Sequence, residues 1–157
     1  MRSNARKAIL PIAVVFLLRL LLIGTLGPTR PPRYADTSVY YDVSRDLSTS
    51  RGAWVRAGSE FGYRAPMYFI YLASVFRLFP QSGYRIAQIA TSLLGVLTCV
   101  LLFFLSYRIE GERAAKVAFW VRGLSLSFLL ADTFVMSEPL FGALQMAAIL
   151  VFVAALP

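Results

Sequence analysis

The chain has 157 residues, 58% hydrophobic and 14% aromatic, with a net charge of +8 and a mean hydropathy of +0.65. Ordinary globular domains are about 45–50% apolar, and here the excess falls in runs, which excludes a soluble globular domain and indicates an integral membrane protein. Histidine is absent and Cys99 is the single cysteine, which excludes His-based acid–base chemistry, Ser–His triads, His-ligated zinc, thiol metal clusters and internal disulfides, and leaves carboxylates and arginines to carry any chemistry.

The elements follow in chain order. Arg2, Arg6 and Lys7 precede a first apolar run, residues 8–26, which carries Arg19 and lacks a small-x-small cleavage site; it reads as a retained anchor, not a signal peptide. Crossing about 30 Å of hydrocarbon takes about 20 helical residues, and residues 86–107, 114–134 and 139–156 also meet or approach that length. Residues 27–33, with Pro28, Pro31 and Pro32, are extended. Residues 34–41 then read Tyr-Ala-Asp-Thr-Ser-Val-Tyr-Tyr. Residues 37–47 place Val39, Tyr40, Val43 and Leu47 at helical spacing, predicting an amphipathic helix on the membrane surface. Asp36 stands just before it, where a carboxylate caps free N–H groups. Residues 48–63 hold Gly52, Gly58 and Gly62 and read as a mobile loop.

Residues 66–79 form a shorter apolar run of about 21 Å at 1.5 Å per residue, bounded by Pro66 and Pro80, and read as an interfacial or re-entrant helix. Parity agrees. Basic segments resist translocation, so Arg2, Arg6 and Lys7 and the turn with Arg108, Arg113 and Lys116 should both be cytoplasmic, and an even number of crossings separates them. The expected architecture is an all-α polytopic bundle. It has four spans and two interfacial helices, both termini are cytoplasmic, and the first loop, residues 27–84, lies outside an inner or plasma membrane.

The basic residues are dispersed, with no stripe or platform of a nucleic-acid reader; anionic membrane lipids are the better partners. Arg30, Arg33, Arg45, Arg51 and Arg56 are expected to be solvated or headgroup-facing. Tyr40, Tyr41, Tyr63, Tyr68, Tyr71 and Trp54 are expected to form an aromatic belt. Arg19 and Asp132 sit at matched depth, about 10 Å below the outer ends of their spans, and are expected to pair in the bundle interior. Arg122, nearer the cytoplasmic end, is expected to snorkel.

Taken together, the basic N-terminus, the span with an internal arginine, the 34–40 motif, the interfacial helix, Tyr63-Arg64-Ala65-Pro66-Met67-Tyr68, the span begun by Arg85, the basic turn and Met136-Ser137-Glu138-Pro139-Leu140-Phe141 resemble the amino-terminal part of GT-C-fold glycosyltransferases. These are the multi-span, family-39-like enzymes that include protein O-mannosyltransferases and lipid A aminoarabinose transferases. The resemblance implies a polyprenyl-phosphate-linked sugar donor, an inverting transfer to an acceptor hydroxyl, Asp36 as catalytic base and Arg64 as a contact to the donor phosphate. Tyr63, Tyr40, Glu138 and Arg85 join Arg64 as candidate substrate-binding residues. A divalent metal is possible, although Thr37 stands where a second acid often follows the aspartate.

The residue types suit that chemistry independently, since a hydroxyl attack needs a carboxylate to take the proton and a phosphate leaving group needs a cation. Plainer readings remain beside it: Asp36 as a helix cap, Arg64 as a snorkelling anchor, Glu138 as a helix-start acid. The chain ends just after its fourth apolar run, whereas such enzymes have more spans, so the expectation is a truncated or split transferase module completed by a further membrane subunit. The alternatives are a catalytically silent scaffold and a small transporter-like bundle. The last ranks lowest, because the spans show no Gly/Pro-broken half-helices.

Overall fold

A computed structural model describes residues 2–32, 36–49 and 58–155; Arg33, Tyr34 and Ala35, and Arg51, Gly52, Trp54 and Arg56, lie outside the described residues. The described residues are all-helical, without a strand. In order they form α1 (Arg2–Thr25), α2 (Asp36–Thr49), α3 (Pro66–Leu78), α4 (Tyr84–Glu110), α5 (Glu112–Leu124), α6 (Leu126–Thr133) and α7 (Glu138–Ala155), and residues 58–61 are helical as well.

By length and composition α4 and α7 are each able to cross a bilayer, and α5 with α6 makes a third such unit if taken together; Leu10–Thr25 of α1 and all of α3 are shorter apolar helices. The longest helix, α4, is central: α1, α3, α5, α6 and α7 all pack on it. It stops at Gly111, whose φ of 85° lies in the left-handed region and whose N–H bonds Tyr107 O. Glycine enters that region without steric cost and closes the helix there.

Two apolar cores flank α4. One joins Val15 of α1, Val96 and Cys99 of α4 and Phe119 of α5. The other joins Tyr40 and Leu47 of α2, the α3 residues Tyr68, Phe69, Leu72, Ala73 and Phe76, Tyr84 and Ala87 of α4, and Val135. This second core changes the expectation for the tyrosines. Tyr40 and Tyr68 meet edge to face at 4.9 Å, Tyr68 Oη shares a 2.7 Å hydrogen bond with Thr91 Oγ1, and Tyr71 donates to Ala90 O at 2.8 Å. Tyr40, Tyr68 and Tyr71 are thus packing residues, and α4 supplies partners for the Tyr68 and Tyr71 hydroxyls that would otherwise need water. The apolar face of α2 is likewise spent on α3. Arg45, expected in solvent, donates to the carbonyls of Ser82 and, at 3.2 Å, Pro80, which ties α2 to the turn between α3 and α4.

The run at residues 114–134, expected as one span, is two helices meeting at 54°. Ser125 is extended (φ −62°, ψ 123°) and ends α5. Sharp kinks arise at Gly/Ser pairs or where a side chain enters the i→i−4 ladder, and both occur here: Gly123 and Ser125 flank the bend, and Arg19 Nη1 donates to Gly123 O at 3.3 Å, the carbonyl that residue 127 would take in a continuous helix. The bend also carries Arg122 inward. Instead of snorkelling, it is 8% exposed, stacks over Phe128 at 3.7 Å and stands 3.9 Å from Asp132 Oδ1.

Asp132 itself is fully buried and pairs with the fully buried Arg19, Nε to Oδ2 at 2.8 Å. The two residues assigned matched depths are therefore in contact, but in a trio with Arg122. Gly95 makes room for it: a Cβ there would lie 2.0 Å from Asp132 Oδ2, so no larger residue lets α4 approach the carboxylate this closely. Ser92 Oγ donates to Asp132 O at 3.3 Å, and Gln88 Nε2 to Thr133 O at 3.0 Å, giving α4 a polar seam along the broken unit.

Candidate functional site

At the end of the bundle where α2 and α3 begin, three charged side chains converge. Asp36 opens α2, inside its first turn instead of just before it, and its Oδ1 accepts from both Arg64 Nε at 3.1 Å and Arg64 Nη2 at 3.0 Å. The other end of the guanidinium, Nη1, donates to Glu60 Oε2. Side-chain exposure is 57% for Asp36, 33% for Glu60 and 24% for Arg64, so the arginine is the recessed member and Asp36 the one facing water.

Local chain geometry explains the grouping. Pro66 occupies the first turn of α3, where its missing N–H costs nothing, and the preceding residues form a turn in which Arg64 N bonds Glu60 O at 3.0 Å. That turn sets Glu60 and Arg64 at helical i,i+4 spacing, the register in which side chains meet. The packing of α2 on α3 then delivers Asp36 across a gap of 28 residues. The hydrogen bond from Asp36, aided by the charges of Asp36 and Glu60, raises the Arg64 pKa above its ordinary value, so the guanidinium stays charged at any working pH.

Glu60 is the residue that sequence reasoning missed. The glycines around it suggested mobile loop, yet the i,i+4 Glu-to-Arg spacing was visible. Thr37, where an acid often stands in the resembled enzymes, is 1% exposed and lies on the face of α2 turned into the protein, where a carboxylate would need its own partner.

The remaining candidates divide. Tyr63 is 88% exposed and adjoins Arg64 in the chain. Tyr40, one turn after Asp36, is buried, and its hydroxyl donates to Ser137 Oγ at 3.2 Å; this contact brings Ser137, and with it the neighbouring exposed Glu138 at the start of α7, to the same end of the bundle as α2. Arg85 Nη1 donates to Ile23 O and to Gln88 Oε1, the latter at 3.4 Å, so it meets the C-terminal end of α1, where a cation suits the free carbonyls.

Among the described residues no group of three or more carboxylate, thiol or imidazole ligands could hold a metal ion, and the position between Asp36 and Glu60 is filled by the Arg64 guanidinium. These residues do not fit a divalent metal there. What the arrangement offers is a solvent-facing carboxylate touching a recessed, doubly bonded arginine. No family model, curated protein or solved structure matches this chain.

Proposed function

We propose that this chain carries the acceptor-side part of a membrane sugar-transfer site of the GT-C kind, using a polyprenyl-phosphate-linked donor. The observation that carries the reading is the contact of Asp36 with Arg64, the base and the phosphate-holding cation that the resemblance implies. In the transfer step the acceptor oxygen bonds to the anomeric carbon as the bond from that carbon to the phosphate oxygen breaks. The acceptor proton goes to Asp36, and the electron pair leaves on the phosphate beside Arg64, whose planar fork suits phosphate oxygens. With one carboxylate acting as base and no protein nucleophile, the anomeric centre inverts. The test is binding and turnover of a polyprenyl-phosphate sugar by the chain in detergent, alone and with any membrane subunit that completes it. Arg64→Ala is expected to weaken donor binding roughly 10- to 100-fold, as befits loss of a charge-assisted contact of about 1.5–3 kcal/mol; unchanged binding would remove Arg64 from the donor site.

The accompanying topology is four crossings with both ends cytoplasmic and residues 27–84 outside. Two contacts at opposite points of the chain support it: Arg85 on the end of α1 and Tyr40 on Ser137 gather the ends of α1 and α6 and the starts of α4 and α7 on one side, with Gly111 at the far end of α4. In a Cys99→Ser background, Gly58→Cys should react with an impermeant thiol reagent on intact cells, and Glu110→Cys only after permeabilisation. Reaction of the second in intact cells would overturn the four-crossing arrangement. Position 110 is chosen because Gly111 has the positive φ noted above.

A transporter-like bundle is a second reading, and the break at Ser125 now favours it more than composition did. Broken spans beside buried charges line transport paths. The two readings separate on substrate: the first requires prenyl-phosphate binding that depends on Arg64, the second does not.

A further inference from the structure

We propose that Arg64 is a switch on Asp36: the guanidinium edge that would grip the donor phosphate is the edge Asp36 now occupies, so a phosphodiester binds by displacing the carboxylate and thereby frees it to act as base. The inference rests on the phosphate reading of Arg64 and adds how the site is kept closed until the donor arrives.

Two N–H groups of an arginine that point the same way, Nε and one Nη, form the fork that matches a pair of oxyanion oxygens. In this chain both members of that fork converge on the single oxygen Oδ1 of Asp36, at 3.1 and 3.0 Å, while Glu60 takes Nη1. The two carboxylates therefore do different work. Glu60 lies one turn from Arg64 in the same local segment and is tied to it by the backbone bond between them, so it holds the guanidinium in place whichever partner fills the fork. Asp36 comes from another helix and is the most exposed of the three, 57% against 24% for Arg64, so it is the member able to swing into water without moving the arginine.

Charge points the same way. Asp36, Glu60 and Arg64 sum to −1, and a phosphodiester entering without displacing either acid would bring three anionic groups onto one cation. Like charges at such distances disfavour one another strongly unless one moves out. Displacement of Asp36 leaves the guanidinium with two counter-ions, Glu60 and the phosphate, and leaves the carboxylate within a side chain's length of the leaving group, ready to accept the acceptor's proton.

The experiment measures the affinity of the purified chain in detergent for geranylgeranyl methyl phosphate, a prenyl phosphodiester with a single fixed negative charge, by calorimetry. Asp36→Asn, which keeps shape and weakens the competitor, should tighten binding about three- to fivefold, in line with the strength of exposed ion pairs. Glu60→Gln removes the same charge from the same guanidinium but not from the fork, and should leave affinity within about twofold of wild type or weaken it. Asp36→Ala repeats the first measurement if the Asn variant folds poorly. Equal tightening in the Asp36 and Glu60 variants would mean a general field effect and would overturn the switch, as would no tightening with Asp36→Asn. If Arg64→Ala still abolishes binding in that case, the phosphate reading stands without the switch; if Arg64→Ala binds like wild type, both fall.

Discussion

Asp132→Asn is expected to destabilise the bundle more than any other single change to a charged residue, by about 3–5 kcal/mol, the cost of leaving buried charge unpaired. Among the described residues the carboxylate is the only acid paired with two buried guanidinia, Arg19 at 2.8 Å and Arg122 at 3.9 Å, so removing it strands both. Arg19→Met should cost less, because Arg122 remains to face Asp132, although it also deprives Gly123 O of its donor at the bend. A simple two-residue cycle would therefore recover only part of the loss, since Arg19→Met with Asp132→Asn still leaves Arg122 alone. The full recovery should come with the third change, Arg122→Met, which empties the site of charge. SDS titration of the purified variants, followed by tryptophan fluorescence and gel filtration, measures all four. Additive losses across the series, or an Asp132→Asn variant as stable as wild type, would show that the trio is not energetically coupled.

The existence of the helices was legible because hydropathy reports runs directly, and the limits of α3 were legible because Pro66 and Pro80 punctuate the chain. The contact of Arg19 with Asp132 followed from counting depth along two spans. What composition conceals is which neighbour a face meets. Tyr40, Tyr68 and Arg45 have the residue types of a membrane interface, and only the packing of α2 on α3 and α4 shows them satisfied within the protein. The bend at Ser125 was hidden for a related reason: residues 114–134 are mostly apolar, Gly123 and Ser125 are each tolerated in a straight helix, and the third cause, the guanidinium of Arg19 on the Gly123 carbonyl, comes from another helix 104 residues away. Arg122 follows from the same bend: expected to snorkel from the cytoplasmic part of one span, it is buried beside Asp132.

In the candidate site the division is similar. Asp36 and Arg64 were found through residue type and motif order, and their contact through space needed the fold. Glu60 was within reach of local reasoning, because four residues separate it from Arg64, but the surrounding glycines argued for loop. Arg85 shows what sequence alone leaves out: a basic residue at the head of a span also meets the carbonyl of Ile23 at the end of α1. A helix end leaves its last carbonyls in need of partners, and a nearby arginine can supply one.

Asp36→Asn is expected to lower sugar transfer by about 10²- to 10⁴-fold, the range a positioned general base contributes, in whatever assembly of this chain turns over donor. The amide keeps the size of the carboxylate and can still accept a hydrogen bond from Arg64, so yield and gel-filtration profile should match wild type, and donor affinity should not fall. That combination separates catalysis from capping. A residue that merely capped α2 would lose up to about 1 kcal/mol of helix stability on replacement by Ala and almost none on replacement by Asn, which caps as well as Asp, and turnover would follow folded yield in both variants. A base loses turnover in both, with binding intact. The same pair of variants also distinguishes Asp36 from Glu60: Glu60 contacts only the far end of the guanidinium, so Glu60→Gln should act through donor affinity with a modest change in turnover at saturating donor. Single-turnover measurements with saturating polyprenyl-phosphate sugar isolate the chemical step from binding and release. Wild-type single-turnover rates in Asp36→Asn would end the assignment of Asp36 as the base, and would leave the Asp36–Arg64 contact as a structural pair joining α2 to the turn before α3.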